Sequence, residues 1–298
     1  MEITLEQTDA AEIAKALVRA RVAAGSPAMD MVLTLLVVTD EEYVAGALKA
    51  ATEVAREHPA RVIGVILGDG RGAPRLDATV RVGESASGES LLLRMSGPLT
   101  QHAESVALPL LLPDSPVVVW WPSRAPVRPA EDPIGRLARR RLTDAESTGS
   151  PVRALRATTY TPGDTDLSWT RLTPWRALLA AAVDQSPAGV TGGEVTAHGS
   201  NPVAALLIAW LELRLGVPVR RRPTTDEQIT SVVLQTEAGD IRIERLDASS
   251  GEFSVPGSRS RQVPLAARGL AELLAEDLRR LDADEVYAET LAHLQASS

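Results

Sequence analysis

The chain carries four imidazoles, at His58, His102, His198 and His293, and no two of them stand at a spacing that chelates a metal. It has no cysteine, so it offers no thiolate nucleophile, disulfide or thiol-based redox site of its own. Gly68-Asp69-Gly70-Arg71-Gly72 has the glycines of a phosphate cradle. An alternating strand pattern follows it, where an anion site needs a helix N-terminus. Gly83-Glu84-Ser85-Ala86-Ser87 begins as a nucleophile elbow and then puts Ser87 where the second glycine must stand. Asp164-Thr165-Asp166 can hold a cation, yet two acids before a helical segment are better explained as a cap and turn. No Ser, Cys or acid stands beside His102 to make it a general base, and His58 closes a helix, where it can meet the last carbonyls. The residues therefore assign no catalytic group, no metal and no cofactor.

Binding chemistry remains. Arg139-Arg140-Arg141 and Arg220-Arg221-Arg222 can each take a phosphate or an acidic partner, or lie solvated on a surface. In a chain that is 3% aromatic, Trp120 and Trp121 stand side by side at the end of the apolar run Val117-Val118-Val119-Trp120-Trp121, bounded by Pro116 and Pro122. Such a run is what a strand covered on both faces requires. Neighbours on a strand point to opposite faces, so one Trp is expected in the core and the other free at a strand end, where sites in covered sheets are built. Trp169 and Trp175 read as core anchors.

These residues need elements to hold them. Asp9 and Glu12 open a helix with Ile13, Leu17, Val18 and Val22 on one side, stopped by Gly25. Met31 to Val38 and Arg61 to Leu67 read as buried strands. Between them a helix runs to Pro59, opened by a capping box at Thr39-Asp40-Glu41-Glu42. Alternating apolar residues from Leu76 to Val82 and from Leu91 to Met95, joined by a turn at Gly83 to Gly88, predict an antiparallel hairpin at the sheet edge. Thr100 to Leu108 and Ile134 to Leu142 read as short helices. Beyond them, Thr173-Pro174 and Asn201-Pro202 each open a helix, the second stopping at Gly216. Strands at Gly193 to His198, Val217 to Arg221, Ile229 to Thr236 and Asp240 to Leu246 surround the second helix. After a strand-rich stretch from Glu252 to Pro264, helices close the chain from Leu265 to Leu281 and from Asp284 to Leu294.

This pattern predicts an α/β protein of two α/β domains, each with a mixed, mostly parallel sheet covered by helices. The expected division is 1–125 for the first domain, 126–168 for a connecting segment and 169–298 for the second. A common order of elements in the two halves suggests a structural duplication. Apolar content of 44% and charged content of 23% are those of a globular protein, and 298 residues suffice for two cores. No apolar run approaches the roughly 20 residues of a membrane span. The acidic residues near Met1 lack a basic n-region, so a cytoplasmic location is expected. A net charge of −8 disfavours nucleic acid and anionic membrane as partners.

An ordered set of motifs resembles the OpcA family of glucose-6-phosphate dehydrogenase assembly proteins. It comprises Arg56-Glu57-His58-Pro59-Ala60-Arg61-Val62, Ser96-Gly97-Pro98-Leu99, Leu112-Pro113-Asp114-Ser115-Pro116-Val117 with Trp120-Trp121-Pro122, and Asp132-Pro133. It continues with Asp166-Leu167-Ser168-Trp169-Thr170-Arg171-Leu172-Thr173-Pro174-Trp175-Arg176 and closes with Leu278 to Asp282 and Asp284 to Tyr287. The Arg-rich composition is similar to actinobacterial members. The resemblance implies a non-enzymatic partner that binds glucose-6-phosphate dehydrogenase in the oxidative pentose phosphate pathway and holds its active form. It leaves self-association open. The contact residues expected on this basis are His102, Trp120, Trp121 and Arg124 at the strand end, with Trp169 and Arg171 as a second patch. Trp121→Ala with Arg124→Ala is then expected to abolish activation and leave the melting temperature unchanged. The alternative is an enzyme or a sugar-phosphate or nucleotide receptor using a crevice at the strand ends.

Overall fold

The structure, a computed structural model, describes residues 1–25, 31–83, 88–186 and 188–297. It divides into two compact units. One comprises Met1–Asp144, Thr159–Thr165 and Leu270–Ala283; the other comprises Ala145–Thr158, Asp166–Gly269 and Asp284–Ser298. The chain is α/β, and both sheets are mixed.

The first unit opens with β1 (Glu2–Leu5), α1 (Ala10–Ala24), β2 (Leu33–Thr39), α2 (Val44–Glu57) and β3 (Ala60–Leu67). The hairpin β4 (Arg75–Val82) and β5 (Glu89–Ser96), the short α3 (Ala103–Ala107), and the strands β6 (Val117–Trp121), β7 (Arg140–Thr143) and β8 (Asp164–Asp166) follow. The strand order is β1-β4-β5-β3-β2-β6-β7-β8. Every residue of β2 is buried, and so is every residue of β6, the double covering that their unbroken apolar sequences demand. Leu35, Leu36, Ile63, Leu91 and Leu93 fill the core.

Side-chain chemistry sets the helix ends only in part. Asp9 accepts from Glu12 N, and Gly25 stops α1 at φ 60°. Val18 and Val22, expected on the apolar side of α1, are exposed, because Ala16 and Ala20 face the sheet with Ile13 and Leu17. The capping box at Thr39–Glu42 does not form. Thr39 is held in strand register opposite Ile66, and α2 starts at Val44 without a side-chain cap.

The hairpin pairs as expected, with Leu76 opposite Met95, but it is not the edge of the sheet. β5 runs parallel to β3, and β1, unrecognised in the sequence, covers β4. The hairpin tip and the rejected elbow at Ser85 and Ser87 fall on 84–87, outside the described residues. The helix expected from Thr100 to Leu108 is broken into a 3-10 turn (Gly97–Gln101), α3, and a second 3-10 turn (Leu108–Leu110) that carries Pro109.

Ile134 to Leu142 is no helix either. One 3-10 turn at Gly135–Leu137 leads into β7, which carries Arg140 and Arg141 into the interior. Arg140 pairs at 2.5 Å with Asp277 and donates to Thr165 Oγ1 at 2.8 Å. Arg141 pairs with Asp164 and donates to the carbonyls of Ala138 and Pro162 at 2.9 and 2.7 Å. Burial pushes the Asp164 carboxyl above its ordinary range, opposed by the Arg141 hydrogen bond. A second buried group joins Arg61 and Arg21 to Glu89. These arginines neutralise internal acids, so Arg140 and Arg141 form neither a phosphate site nor a solvated face.

The second unit contains α4 (Pro151–Ala157), α5 (Leu167–Arg171), α6 (Thr173–Gln185), β9 (Val190–Ala197), α7 (Pro202–Leu215) and β10 (Val219–Pro223). The strands β11 (Ser231–Thr236), β12 (Gly239–Arg245), β13 (Ser250–Ser254) and β14 (Arg261–Pro264) complete its sheet, in the order β10-β9-β11-β12-β13-β14. β10 and β9 pair in parallel and the remaining neighbours antiparallel, so parallel pairing dominates only the first sheet. The two units share the order strand, helix, strand, hairpin. In the first the hairpin joins the second strand of that group, and in the second it joins the first strand, so the repeat of element order does not extend to sheet topology. Asn201 accepts from Ala204 N at 2.7 Å and Gly216 closes α7 at φ 67°, as their types predict. α8 (Leu270–Leu278) belongs to the first unit and packs on α2, where His58 Nε2 meets Ala275 O at 2.9 Å. α9 (Glu285–Ala296), capped by Asp284, packs on α4 and α7 in the second.

Candidate functional site

The connectivity of the first sheet creates a point where two strands send the chain in opposite directions. From β2 the chain passes through α2 to β3 on one side; from β6 it moves on to β7 on the other. The carboxyl ends of β2 and β6 are therefore not covered by a common crossover, the arrangement that leaves a crevice in parallel sheets. A crevice of about 310 Å³ lies there, with Val38, Leu67, Trp121 and Ile134 as its apolar walls and Glu104, Arg124 and Asp132 at its polar rim.

Each wall has a local cause. Gly135 closes the loop against the end of β6: a Cβ there would stand 1.8 Å from Pro129 O and 3.3 Å from the Trp121 ring. Asp132 accepts from the amides of Ile134 and Gly135 at 2.9 and 3.1 Å, which fixes that 3-10 turn. The polar groups are poorly matched. Both carboxylate oxygens of Asp40, Oε2 of Glu104, Oγ of Ser123 and Nε1 of Trp120 are buried with no hydrogen-bond partner among the described residues. Arg124 Nε lies 3.4 Å from the Asp40 carboxylate, a charge pairing without hydrogen-bond geometry, and its side chain is 82% exposed. A buried acceptor left unsatisfied costs about 1–3 kcal/mol.

Trp120 and Trp121 are 0% and 3% exposed, so the expectation that one ring stands free is overturned. β6 lies between β2 and β7 with both faces covered, which leaves only an edge of Trp121 on the crevice. Trp121→Ala must therefore unsettle the core. His102 is exposed just before α3, while its neighbours Gln101 and Ala103 line the crevice. Trp169 is buried in the second unit, where its Nε1 donates to Asp284 at 2.9 Å and the Arg176 guanidinium lies 3.7 Å over its ring. That makes it a core anchor, not an exposed contact. Arg171 pairs at 2.5 Å with Glu146. The structure thus brings Trp121 and Arg124 together and sets Trp169 with Arg171 in the other unit. Asp40, Glu104 and Ser123 were missed; an acid directly after a covered strand was the signal for Asp40, which its place in a capping box disguised.

Two adjoining family profiles match this chain. One, described as the glucose-6-phosphate dehydrogenase subunit N-terminal domain of OpcA, matches residues 51–159, and the C-terminal domain of the same subunit matches residues 162–291. The chain belongs to the OpcA family. The matches include β6, the Arg124 loop and the Trp169-to-Arg176 segment, and they give this OpcA chain a function related to glucose-6-phosphate dehydrogenase. No match is found among curated proteins. A solved structure described as an oxidoreductase from Sinorhizobium meliloti is similar at a TM-score of 0.42 and 9% identity, over 88% of this chain and 86% of its own. Among the described residues no helix is long and apolar enough to cross a membrane.

Proposed function

We propose that this chain is a non-enzymatic binding partner of glucose-6-phosphate dehydrogenase that holds the dehydrogenase's active form. The match of two OpcA domain profiles along the chain carries the reading. The crevice at the ends of β2 and β6 supplies the contact. Glu104 lines it with a carboxylate, and Arg124 presents a guanidinium that an incoming carboxylate can draw away from Asp40 behind it. A basic side chain of the dehydrogenase then hydrogen-bonds the acids in a poorly hydrated setting, where charge-assisted bonds are strongest. His102 lies on the exposed flank of the same surface.

Activation follows from unequal affinity. A partner that binds the active form tenfold more tightly than the inactive form contributes about 1.4 kcal/mol to the balance between them. Arg124→Glu sets an acid beside Asp40 in place of its positive partner and keeps the fold, because Arg124 is solvent-exposed. Dehydrogenase activity titrated with this variant should show at least about a tenfold weaker half-activating concentration. An unchanged titration curve would remove the crevice from the contact. Turnover of glucose 6-phosphate by the pure chain would sink the non-enzymatic reading itself.

A further inference from the structure

The basic run Arg220-Arg221-Arg222 lies in β10, the end strand of the second sheet, with β9 on one side and no strand on the other among the described residues. β10 and β9 pair in parallel with Val219 opposite Gly193, and Gly193 N donates to Pro218 O at 3.1 Å. Alternate residues of such a strand turn their peptide groups to opposite sides. Those of Pro218, Arg220 and Arg222 therefore meet β9, and those of Val219 and Arg221 face the free edge. Glu212 takes the Val219 N–H at 3.3 Å, which leaves the Val219 carbonyl and both peptide groups of Arg221 for a further strand.

The side chain of Arg221 shares the face of Val219 and enters a cavity of about 370 Å³ within the second unit, walled by Val152, Ala205, Ile208 and Leu294. There it donates to the carbonyls of Gly199 and, at 3.1 Å, His198. Arg156 lines the same cavity and donates to Ser297 O. Backbone carbonyls orient both guanidinium groups without neutralising them. Neither has an ion pair with an acid among the described residues, and Glu212, the one acid of the described lining, stands 3.2 Å from His293. Burial, and after it the positive charge of Arg156, holds Arg221 below the usual guanidinium range. In a chain with a net charge of −8, two like charges in one recess are a local site for an anion.

We propose that β10 takes an extended acidic segment of a partner protein as an added strand, with one of its carboxylates seated between Arg156 and Arg221. Strand addition draws affinity from main-chain bonds and specificity from a side-chain pocket, and here both belong to Arg221. Charge selects the occupant. Arg220 and Arg222 are exposed on the other face of β10, Arg222 at 3.7 Å from Glu194, so the acids of an incoming strand meet arginine on either face. The same edge of a second copy would set arginine against arginine.

The proposal concerns a different surface from the crevice and is tested on the isolated chain, so its failure leaves the crevice reading standing. Fluorescence anisotropy of a labelled peptide of about eight residues, alternating glutamate and valine, should saturate below about 1 mM at low ionic strength. Exchanging its glutamates for glutamine, or N-methylating its backbone amides, should each weaken binding at least about tenfold. Arg156→Gln and Arg221→Gln should each do the same to the parent peptide, with near-ultraviolet circular dichroism confirming the fold. If Arg221→Gln fails to fold, the exposed Arg156 decides alone. An N-methylated peptide that binds as tightly would reduce the site to an anion pocket and overturn strand addition. Absence of saturation, or affinity unchanged in a folded variant, would overturn the whole assignment.

Discussion

Arg124 and Trp121 stand three residues apart and call for opposite experiments. Arg124 is available to another molecule; Trp121 is held between packed faces, with Gly135 against its ring. Trp121→Ala should therefore cost about 3–5 kcal/mol, seen as a lower denaturant midpoint, whatever it does to the dehydrogenase. Asp247 gives a second residue-scale test. Serine hydrogen bonds from Ser249 and Ser250 lower its carboxyl from 3.8 to about 2, so its stabilisation is complete above pH 4 and is lost as pH falls toward 2. The melting temperatures of the parent and Asp247→Ala should differ at pH 6 and converge as the pH approaches 2. A gap that stays constant with pH would place the effect in turn geometry alone.

Among the elements, those with strong local signals were legible. The covered strands β2, β3 and β6 announce themselves by apolar runs, and α1, α7 and α9 by Asp9, Asn201 and Asp284 at their caps. β7 and β8 were not legible, because their sequences are Arg-Arg-Leu-Thr and Asp-Thr-Asp. Charged residues become strand interior only when counter-ions arrive, and Asp277 lies 137 positions from Arg140. The crevice was half legible: its place at the end of β6 followed from strand pattern, but Glu104 and Asp132 on its rim did not, since they come from separate stretches on either side of β6 that only the fold brings together. The buried pair gives an element-scale prediction. Asp277→Ala, which strands a buried guanidinium, should cost about 3–5 kcal/mol in denaturant unfolding. Arg140→Leu with Asp277→Leu should lose much less, and equal losses would show that the ion pair is not what the site requires.

At the scale of the whole molecule, the crevice of the first unit combines acids with one exposed arginine, so the proposed contact with the dehydrogenase is one between charges at a solvent-exposed rim. Activation through the crevice should weaken when salt is raised from 50 to 500 mM, by the ordinary screening of rim charges. A salt-insensitive half-activating concentration would mean that an apolar contact dominates.

The division of the chain between the units reaches into its biosynthesis. Leu270–Ala283 belongs to the first unit although a complete sheet of the second precedes it. A ribosome that has already released β1 through β7 still withholds the aspartate that neutralises Arg140 and the helix that covers α2. The earlier part of the molecule must wait for translation of the later part before it can close.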